Sequence, residues 1–324
     1  MSIVMPSVPG DIYTLINNVN LYFRYLPIKD IYIVGPSDIE QIVKDTHDDR
    51  LIFMNENEFV DVPRIRQLYN LRTDKNPGRA GWYVQQFIKM QFAKFTQDEY
   101  YLIWDCDTIP ITTTQLFDEA SGKPIMQWEF FPRISYLAYH DTHLKILPDV
   151  NCDWGATSFV REHMVIKSEY MRELIDWIES NSLTLGSNFH EKVMNSVDVP
   201  SLPSTGFSEF QEYGGFVNWK YPDTYVLDDG WQSLRCMKRL CDNVASLPEE
   251  EISWLAKSYD AISIEKWQQP TRLSQLVHSR MFRKLFPATT LEALSKPQIL
   301  PKLIAPKKYR NRVVRFIKRT FHIH

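Results

Sequence analysis

The sequence predicts an α/β protein of Rossmann type, with a central, mainly parallel sheet flanked by helices. Three observations predict it. The opening segment alternates short apolar runs with helical patterns, in the order strand, helix, strand, helix, strand. A later run, Tyr100-Tyr101-Leu102-Ile103-Trp104, is continuously apolar, as central strands buried on both faces are. The composition suits a large core: 324 residues, 44% hydrophobic and 13% aromatic, with 24% charged.

The elements follow in order. Ser2-Ile3-Val4-Met5 is a short strand broken by Pro6 and by Pro9-Gly10. Asp11 then precedes one helix, with Ile12, Leu15, Ile16, Val19, Tyr22 and Phe23 on a buried face. Ile31-Tyr32-Ile33-Val34 ends at Gly35-Pro36 as a second strand. A helix is expected around 39–43, followed by the strand Leu51-Ile52-Phe53. A charged connection leads to the turn Asn76-Pro77-Gly78 and to a long apolar helix over 81–95. The central strand over 100–105 ends in Asp105-Cys106-Asp107. Another strand is expected over 124–131, and an amphipathic helix over Ser168–Ser180. Ser208-Glu209-Phe210-Gln211 has the form of a capping box that opens a helix. Tyr225-Val226-Leu227 reads as the last strand, and the chain beyond 236 reads as mainly helical. The implied division is 1–235 as the main domain, 236–304 as a helical extension and 305–324 as a basic tail.

Charge is uneven. Nine of the 37 basic residues lie in 293–324, where no acid occurs. The first 292 residues therefore carry 28 basic against 40 acidic side chains. An acidic body argues against a nucleic-acid groove. The basic tail suits a contact with something anionic. Cys106, Cys152, Cys236 and Cys241 have neither CxxC spacing nor nearby His pairs, so no zinc module is expected. Their low density fits a reducing compartment. No Lys or Arg precedes Arg24, and no apolar run reaches membrane-spanning length. A cytoplasmic protein is expected.

The chemistry concentrates at Asp105 and Asp107. Two carboxylates one residue apart, at the carboxyl end of a buried strand, can hold a single Mn²⁺ or Mg²⁺ that keeps positions open for phosphate oxygens. Such an ion neutralises a diphosphate leaving group. A solvated turn that happens to hold two Asp is the plain alternative. Upstream, Arg79 precedes Gly81-Trp82-Tyr83-Val84-Gln85-Gln86-Phe87-Ile88-Lys89, in which Gln85 and Lys89 are one helical turn apart. A helix N-terminus, an Arg and a Lys near that strand end suit phosphate. A Lys that snorkels from an apolar helix is the alternative.

These pieces resemble the nucleotide-sugar glycosyltransferases of the GT-A fold. Ile3-Val4-Met5-Pro6, Ile31–Gly35, the segment from Gly81 to Lys89, Tyr101-Leu102-Ile103-Trp104-Asp105-Cys106-Asp107 and Phe207-Ser208-Glu209-Phe210-Gln211-Glu212-Tyr213-Gly214 carry the resemblance. Together they are similar to an uncharacterised bacterial family of surface-polysaccharide gene clusters, over roughly residues 1–235. The resemblance implies a metal-dependent transferase. It would move a sugar from a nucleoside-diphosphate donor to a hydroxyl of a bacterial glycan or lipid-linked acceptor. By the same implication Val4 and Pro6 lie near the nucleotide base, and Asp105 and Asp107 hold metal and diphosphate; from their own residue types and spacing, Arg79, Gln85 and Lys89 are candidates to bind the donor.

Many retaining members add a late His to the metal site. His278 is the candidate here, although Val277-His278-Ser279-Arg280 departs from that pattern. Many inverting members use an acidic base on an acceptor-side helix. Glu209 and Glu212, at i and i+3, take that place. Acids at a helix start also complement its dipole, which is the structural alternative. Asp153 and Trp154, in Asn151-Cys152-Asp153-Trp154-Gly155, suit a sugar acceptor by hydrogen bond and stacking, or form an ordinary turn. His163 reads as structural, and Asp228-Asp229-Gly230 as a turn.

Two rival readings remain. One is a haloacid-dehalogenase-like phosphatase with Asp105 as nucleophile, against which Ile109 stands where its Thr form has a hydroxyl. The other is a non-catalytic sugar-binding protein on the same fold. In the tail, Tyr309, Val313, Phe316 and Ile317 fall on one helical face among seven basic residues. Such a segment can lie on an anionic membrane surface.

Overall fold

The computed structural model describes residues 1–130, 137–152, 156–235, 243–264 and 274–295. The strands in chain order are β1 (Ser2–Pro6), β2 (Ile31–Gly35), β3 (Leu51–Asn55), β4 (Tyr100–Trp104), β5 (Thr108–Pro110), β6 (Ile125–Gln127), β7 (Glu129–Phe130), β8 (Thr157–Ser158), β9 (His163–Lys167), β10 (Val226–Asp228), β11 (Ser233–Leu234) and β12 (Ala261–Ser263). The helices are α1 (Ile12–Asn17), α2 (Val19–Tyr25), α3 (Glu40–Lys44), α4 (Val62–Asn70), α5 (Arg79–Gln91), α6 (Leu137–Ile146), α7 (Ser168–Ser180), α8 (Phe189–Ser196), α9 (Glu209–Lys220), α10 (Glu249–Leu255), α11 (Ser274–His278), α12 (Arg280–Leu285) and α13 (Thr289–Ser295).

The chain forms two compact units. The first takes Met1–Ile12, Pro27–Cys106 and Gln115–Gly230. The second takes Tyr13–Leu26, Asp107–Thr114 and the residues from Trp231 on. The second unit thus gathers two segments from inside the expected 1–235 domain, and residues 305–324 lie outside the described residues.

The first unit is built on a five-stranded sheet in the order β3-β2-β1-β4-β9. The first four strands are parallel: Ile3 pairs with Ile31 on one side and Leu102 on the other, and Ile31 pairs with Leu51. The expected mainly parallel sheet flanked by helices is therefore present. β9 was not anticipated; it closes the sheet antiparallel to β4, with His163 opposite Trp104. Every residue of β1 is buried, because helices cover both faces of the sheet. The chain leaves β1 toward β2 on one side and reaches β4 on the other. β1 and β4 therefore flank the switch point, where open α/β sheets leave a crevice beyond their strand ends.

The helices form where the sequence allows. Asp61 caps α4 by accepting from the Arg64 N–H at 3.0 Å, a helix hidden in the charged connection. α7 buries Tyr170, Leu174 and Ile178 at i, i+4 and i+8, as its spacing predicts. Ser208 caps α9 by accepting from the Gln211 N–H at 3.4 Å. Gln211 does not reach back to complete the box. Its side chain instead accepts from the Phe159 N–H at 3.0 Å and donates to the Thr157 carbonyl at 3.2 Å. Gly214 lets α9 approach closely, since a Cβ there would collide with the Phe159 ring. Gly35 plays the same part at the end of β2, where a Cβ would strike the Ser7 carbonyl. The strand expected over 124–131 is divided. β6 pairs parallel with β10 and β7 pairs antiparallel with β8, both outside the main sheet.

The second unit holds a three-stranded sheet in the order β11-β12-β5, tied by a 2.8 Å bond between the Thr108 and Ser263 hydroxyls. The single helix expected over 12–23 breaks at Asn18. Its side-chain NH₂ donates to the Thr14 carbonyl at 2.7 Å, and its carbonyl oxygen accepts from the Ala245 N–H at 2.9 Å. Beyond 243 the described chain is mostly helical, with β12 as an unforeseen strand. Among the described residues no helix is long and apolar enough to cross a membrane.

Candidate functional site

The crevice beyond β1 and β4 collects most of the residues singled out from the sequence in the first unit. β4 leads directly into Asp105, whose N–H donates to the Glu162 carbonyl at 2.9 Å. Its carboxylate meets Lys89 from α5: Nζ lies 2.6 Å from Asp105 Oδ1 and 2.8 Å from Glu209 Oε1. The three side chains differ in exposure, at 7% for Lys89, 3% for Glu209 and 36% for Asp105. Asp105 is the end of this chain of charges that a ligand can reach.

The surroundings hold the triad in place. The Tyr101 hydroxyl donates to the Lys89 carbonyl at 2.9 Å. Gln86 accepts from the Glu209 N–H at 3.2 Å, which serves an otherwise orphaned donor at the start of α9. The Phe210 ring lies 4.6 Å from the Lys89 ammonium. Burial pushes the Lys89 pKa down, but the Asp105 and Glu209 carboxylates outweigh it and carry it above the ordinary value. Burial raises the Glu209 carboxyl, with Lys89 opposing and Asp105 reinforcing the rise.

Arg79 opens α5. Its guanidinium stacks 3.3 Å over the Trp82 ring, with no carboxylate partner among the described residues. Its Nε is buried and makes no hydrogen bond. Burial lowers its pKa, countered by the phenols of Tyr83, Tyr139 and Tyr69. A half-buried guanidinium with no anion among the described residues suits an anionic ligand.

A cleft lies at the ends of β1 and β2, lined by Pro6, Ser7, Val34, Glu56, Arg66 and Gln85 among others. The Ser7 hydroxyl is buried there without a partner. Burial raises the Glu56 carboxyl, with Arg66 opposing. α5 joins the two regions. Gly81, Gln85 and Ile88 line the cleft, while Gln86 and Lys89 turn toward α9. Pro6 and Gln85, two of the residues expected to contact a donor, line this cleft. Val4 does not: it is fully buried in the hydrophobic core.

The other expected residues fall elsewhere. Asp107 belongs to the second unit, where its carbonyl accepts from the Ile264 N–H at 2.8 Å. His278, on α11 of that unit, contacts Glu251 Oε2 at 3.0 Å, and Glu251 also binds Arg283 at 3.0 Å. Among the described residues no group of three or more His, Cys, Asp or Glu is placed to hold a metal ion, so His278 completes no such set. Asp153 and Trp154 lie outside the described residues. Glu212 is wholly buried, with Oε2 2.8 Å from His143 Nδ1, and offers no surface to an acceptor hydroxyl. His163 is buried with its ring 4.8 Å from that of Trp104, and burial lowers its pKa to about 4, in keeping with a structural role.

Sequence reasoning missed Ser7, Glu56, Arg66, Gln86 and His143. Helical spacing alone gave a signal for Gln86, which shares a face with Trp82 and Lys89 at i+4 and i−3.

Residues 12–274 match the model of a family of unknown function, DUF6492. The chain belongs to that family. No curated protein matches the DUF6492 chain. Solved structures do resemble it in outline. Mouse xyloside xylosyltransferase 1 gives a TM-score of 0.41 at 10% identity, covering 82% of this chain and 98% of that one. The galactosyltransferase LgtC, in complex with donor and acceptor sugar analogues, gives 0.39 at 10% identity, covering 96% and 100%. The glycosyltransferase GlyE of Streptococcus pneumoniae gives 0.39 at 11% identity, covering 94% and 66%. At such scores the likeness transfers neither residues nor an activity to the DUF6492 chain.

Proposed function

We propose that this chain is a glycosyltransferase. It moves a sugar from a nucleoside-diphosphate sugar to a hydroxyl of a bacterial surface glycan or lipid-linked acceptor. The observation that carries this reading is the partly exposed Asp105 at the switch point of the sheet, held by Lys89, with Arg79 on the same helix as Lys89 and without a carboxylate partner among the described residues. Asp105 and Asp107 would hold Mn²⁺ or Mg²⁺, which supplies, when bound, charge neutralisation on the diphosphate leaving group. Two carboxylates fit such an ion, because phosphate oxygens and water fill its other positions.

The chain's own residues do the rest. The Arg79 fork binds phosphate oxygens. Lys89 sets the direction of the Asp105 carboxylate. Glu209, buried and bonded to Lys89, acts through it and is a positioning residue. The Ser7 hydroxyl and the Gln85 amide offer hydrogen bonds to a base or ribose in the cleft. Asp153 and Trp154 are proposed as acceptor contacts on their residue types alone.

Thermal stabilisation by a panel of nucleoside-diphosphate sugars, with and without Mn²⁺, tests the reading. A ligand at about a hundred times its dissociation constant stabilises by about 2.7 kcal/mol, a melting shift of a few degrees. One nucleotide series is expected to give this shift only with metal. No shift from any of them, with or without metal, would refute the assignment.

The basic tail, 305–324, is proposed to dock the protein on the anionic face of a membrane, at about 1 kcal/mol for each basic side chain near the surface. Lipid-linked acceptors would make that location useful. The full chain is expected to pellet with anionic vesicles at low salt and to be released at high salt. Equal pelleting of a chain truncated after Ile304 would overturn the proposal.

A further inference from the structure

A second groove of about 480 Å³ lies in the first unit, and its lining shares no residue with the cleft described above. It is walled by Glu58, by Asp61 at the start of α4, by Gln91 at the end of α5, by Glu179 in the last turn of α7, and by Asn188 and His190 at the start of α8. Its volume is that of an ordinary small-ligand site.

Two of its polar atoms lack partners. Gln91 Oε1 and His190 Nε2 are both buried with no hydrogen bond, and His190 as a whole is only 6% exposed. Buried polar atoms are almost always satisfied, so two on one groove point to a ligand or to ordered water. The imidazole sits against Phe189 and Phe87, with ring centroids 4.0 and 5.2 Å away, and its direction is fixed.

The chemistry of the groove narrows the ligand. Glu58, Asp61 and Glu179 line it, and Lys94 reaches Glu179 at 3.6 Å. Burial, helped by Lys94, lowers the His190 pKa to about 3, so the ring is neutral at physiological pH. Glu58, Asp61 and Glu179 line the groove and no Lys or Arg is among its described lining residues, which disfavours phosphates and carboxylates. Gln91 Oε1 requires a donor, carboxylates accept from donors, and a neutral imidazole nitrogen either donates or accepts. Hydroxyl groups meet all three demands at once.

We propose that this groove binds one sugar ring through its hydroxyls, at Gln91 and His190, as a second hold on the glycan. That the ring belongs to a glycan rests on the glycosyltransferase reading; that the groove binds a polyol does not.

Protein-detected NMR of the full chain with methyl glycosides tests it: glucoside, galactoside, mannoside, glucosaminide and N-acetylglucosaminide, with ethanolamine as a plain ammonium control. At least one glycoside is expected to saturate at millimolar concentration, moving the His190 ring and Gln91 amide signals. Gln91→Leu is expected to weaken it at least tenfold. Asn57→Trp, at the exposed rim, blocks the groove without touching the core and is expected to do the same. Asp105→Asn should leave this binding unchanged. Three results would overturn the proposal: no glycoside binds, binding persists in both groove variants, or ethanolamine binds as well as the best glycoside. Glycoside binding without any nucleotide effect would refute the proposed function and leave the groove assignment standing. Nucleotide binding with a silent groove would do the reverse.

Discussion

Asp105→Asn is expected to leave the protein folded and to slow metal-dependent cleavage of a nucleoside-diphosphate sugar by on the order of a hundredfold or more. The substitution keeps the shape of the side chain and removes its charge. Asp105 is the exposed member of its triad, so the fold loses little. Lys89 keeps its buried partner Glu209, at 2.8 Å, and no lone buried charge is created. What is lost is the carboxylate that faces the ligand. Asp107→Asn is expected to act in the same direction. Donor hydrolysis measured against Mn²⁺ concentration, beside a melting curve for each variant, separates chemistry from stability. If both variants turn over donor normally with an unchanged Mn²⁺ response, the strand-end carboxylates are not the site.

The sheet was legible because its inner strands are buried on both faces. Ile31-Tyr32-Ile33-Val34 and Tyr100–Trp104 appear in sequence as uninterrupted apolar runs, and at the edge of the sheet the run Leu51-Ile52-Phe53 opens β3, which continues to Asn55. β9 was not legible. Its segment, His163-Met164-Val165-Ile166-Lys167, has only three apolar residues between polar ends, and the strong helical period of α7 follows it directly. α4 was hidden because Arg64, Arg66 and Gln67 dilute its apolar face, and only Asp61 and Pro63 announce its start. Asp105 and Lys89 could be singled out separately, as a strand-end acid and a helical base. Their bond could not, because it depends on where α5 crosses the sheet. Glu209 and Glu212 looked alike at i and i+3, yet one meets Lys89 and the other His143, since those partners come from different helices. Local spacing carries no information about that choice.

The last expected result follows from that choice. Glu212 and His143 are both 0% exposed, with His143 Nε2 also 2.9 Å from the Val150 carbonyl. Burial pushes the His143 pKa down, but Glu212 outweighs it, and the pKa rises to about 10. The His143 imidazole is therefore held in its charged form at neutral pH, in a dry setting against Glu212. Removing one member leaves the other uncompensated, which typically costs about 3–5 kcal/mol. That is a large part of a typical folding free energy of about 5–15 kcal/mol. Glu212→Gln is thus expected to lower stability by that order in urea unfolding. Any donor cleavage should persist in the fraction that remains folded.

The pH dependence has a defined sign. The His143 pKa is higher folded than unfolded, so its contribution is complete below about pH 6.5. It is lost as pH rises toward about 10. The difference in stability between the wild type and His143→Gln should therefore shrink across that interval, which cancels other groups that titrate in both proteins. A Glu212→Gln protein that unfolds like the wild type but cleaves no donor would reverse the reading. It would make Glu212 a catalytic group that some other state of the protein exposes.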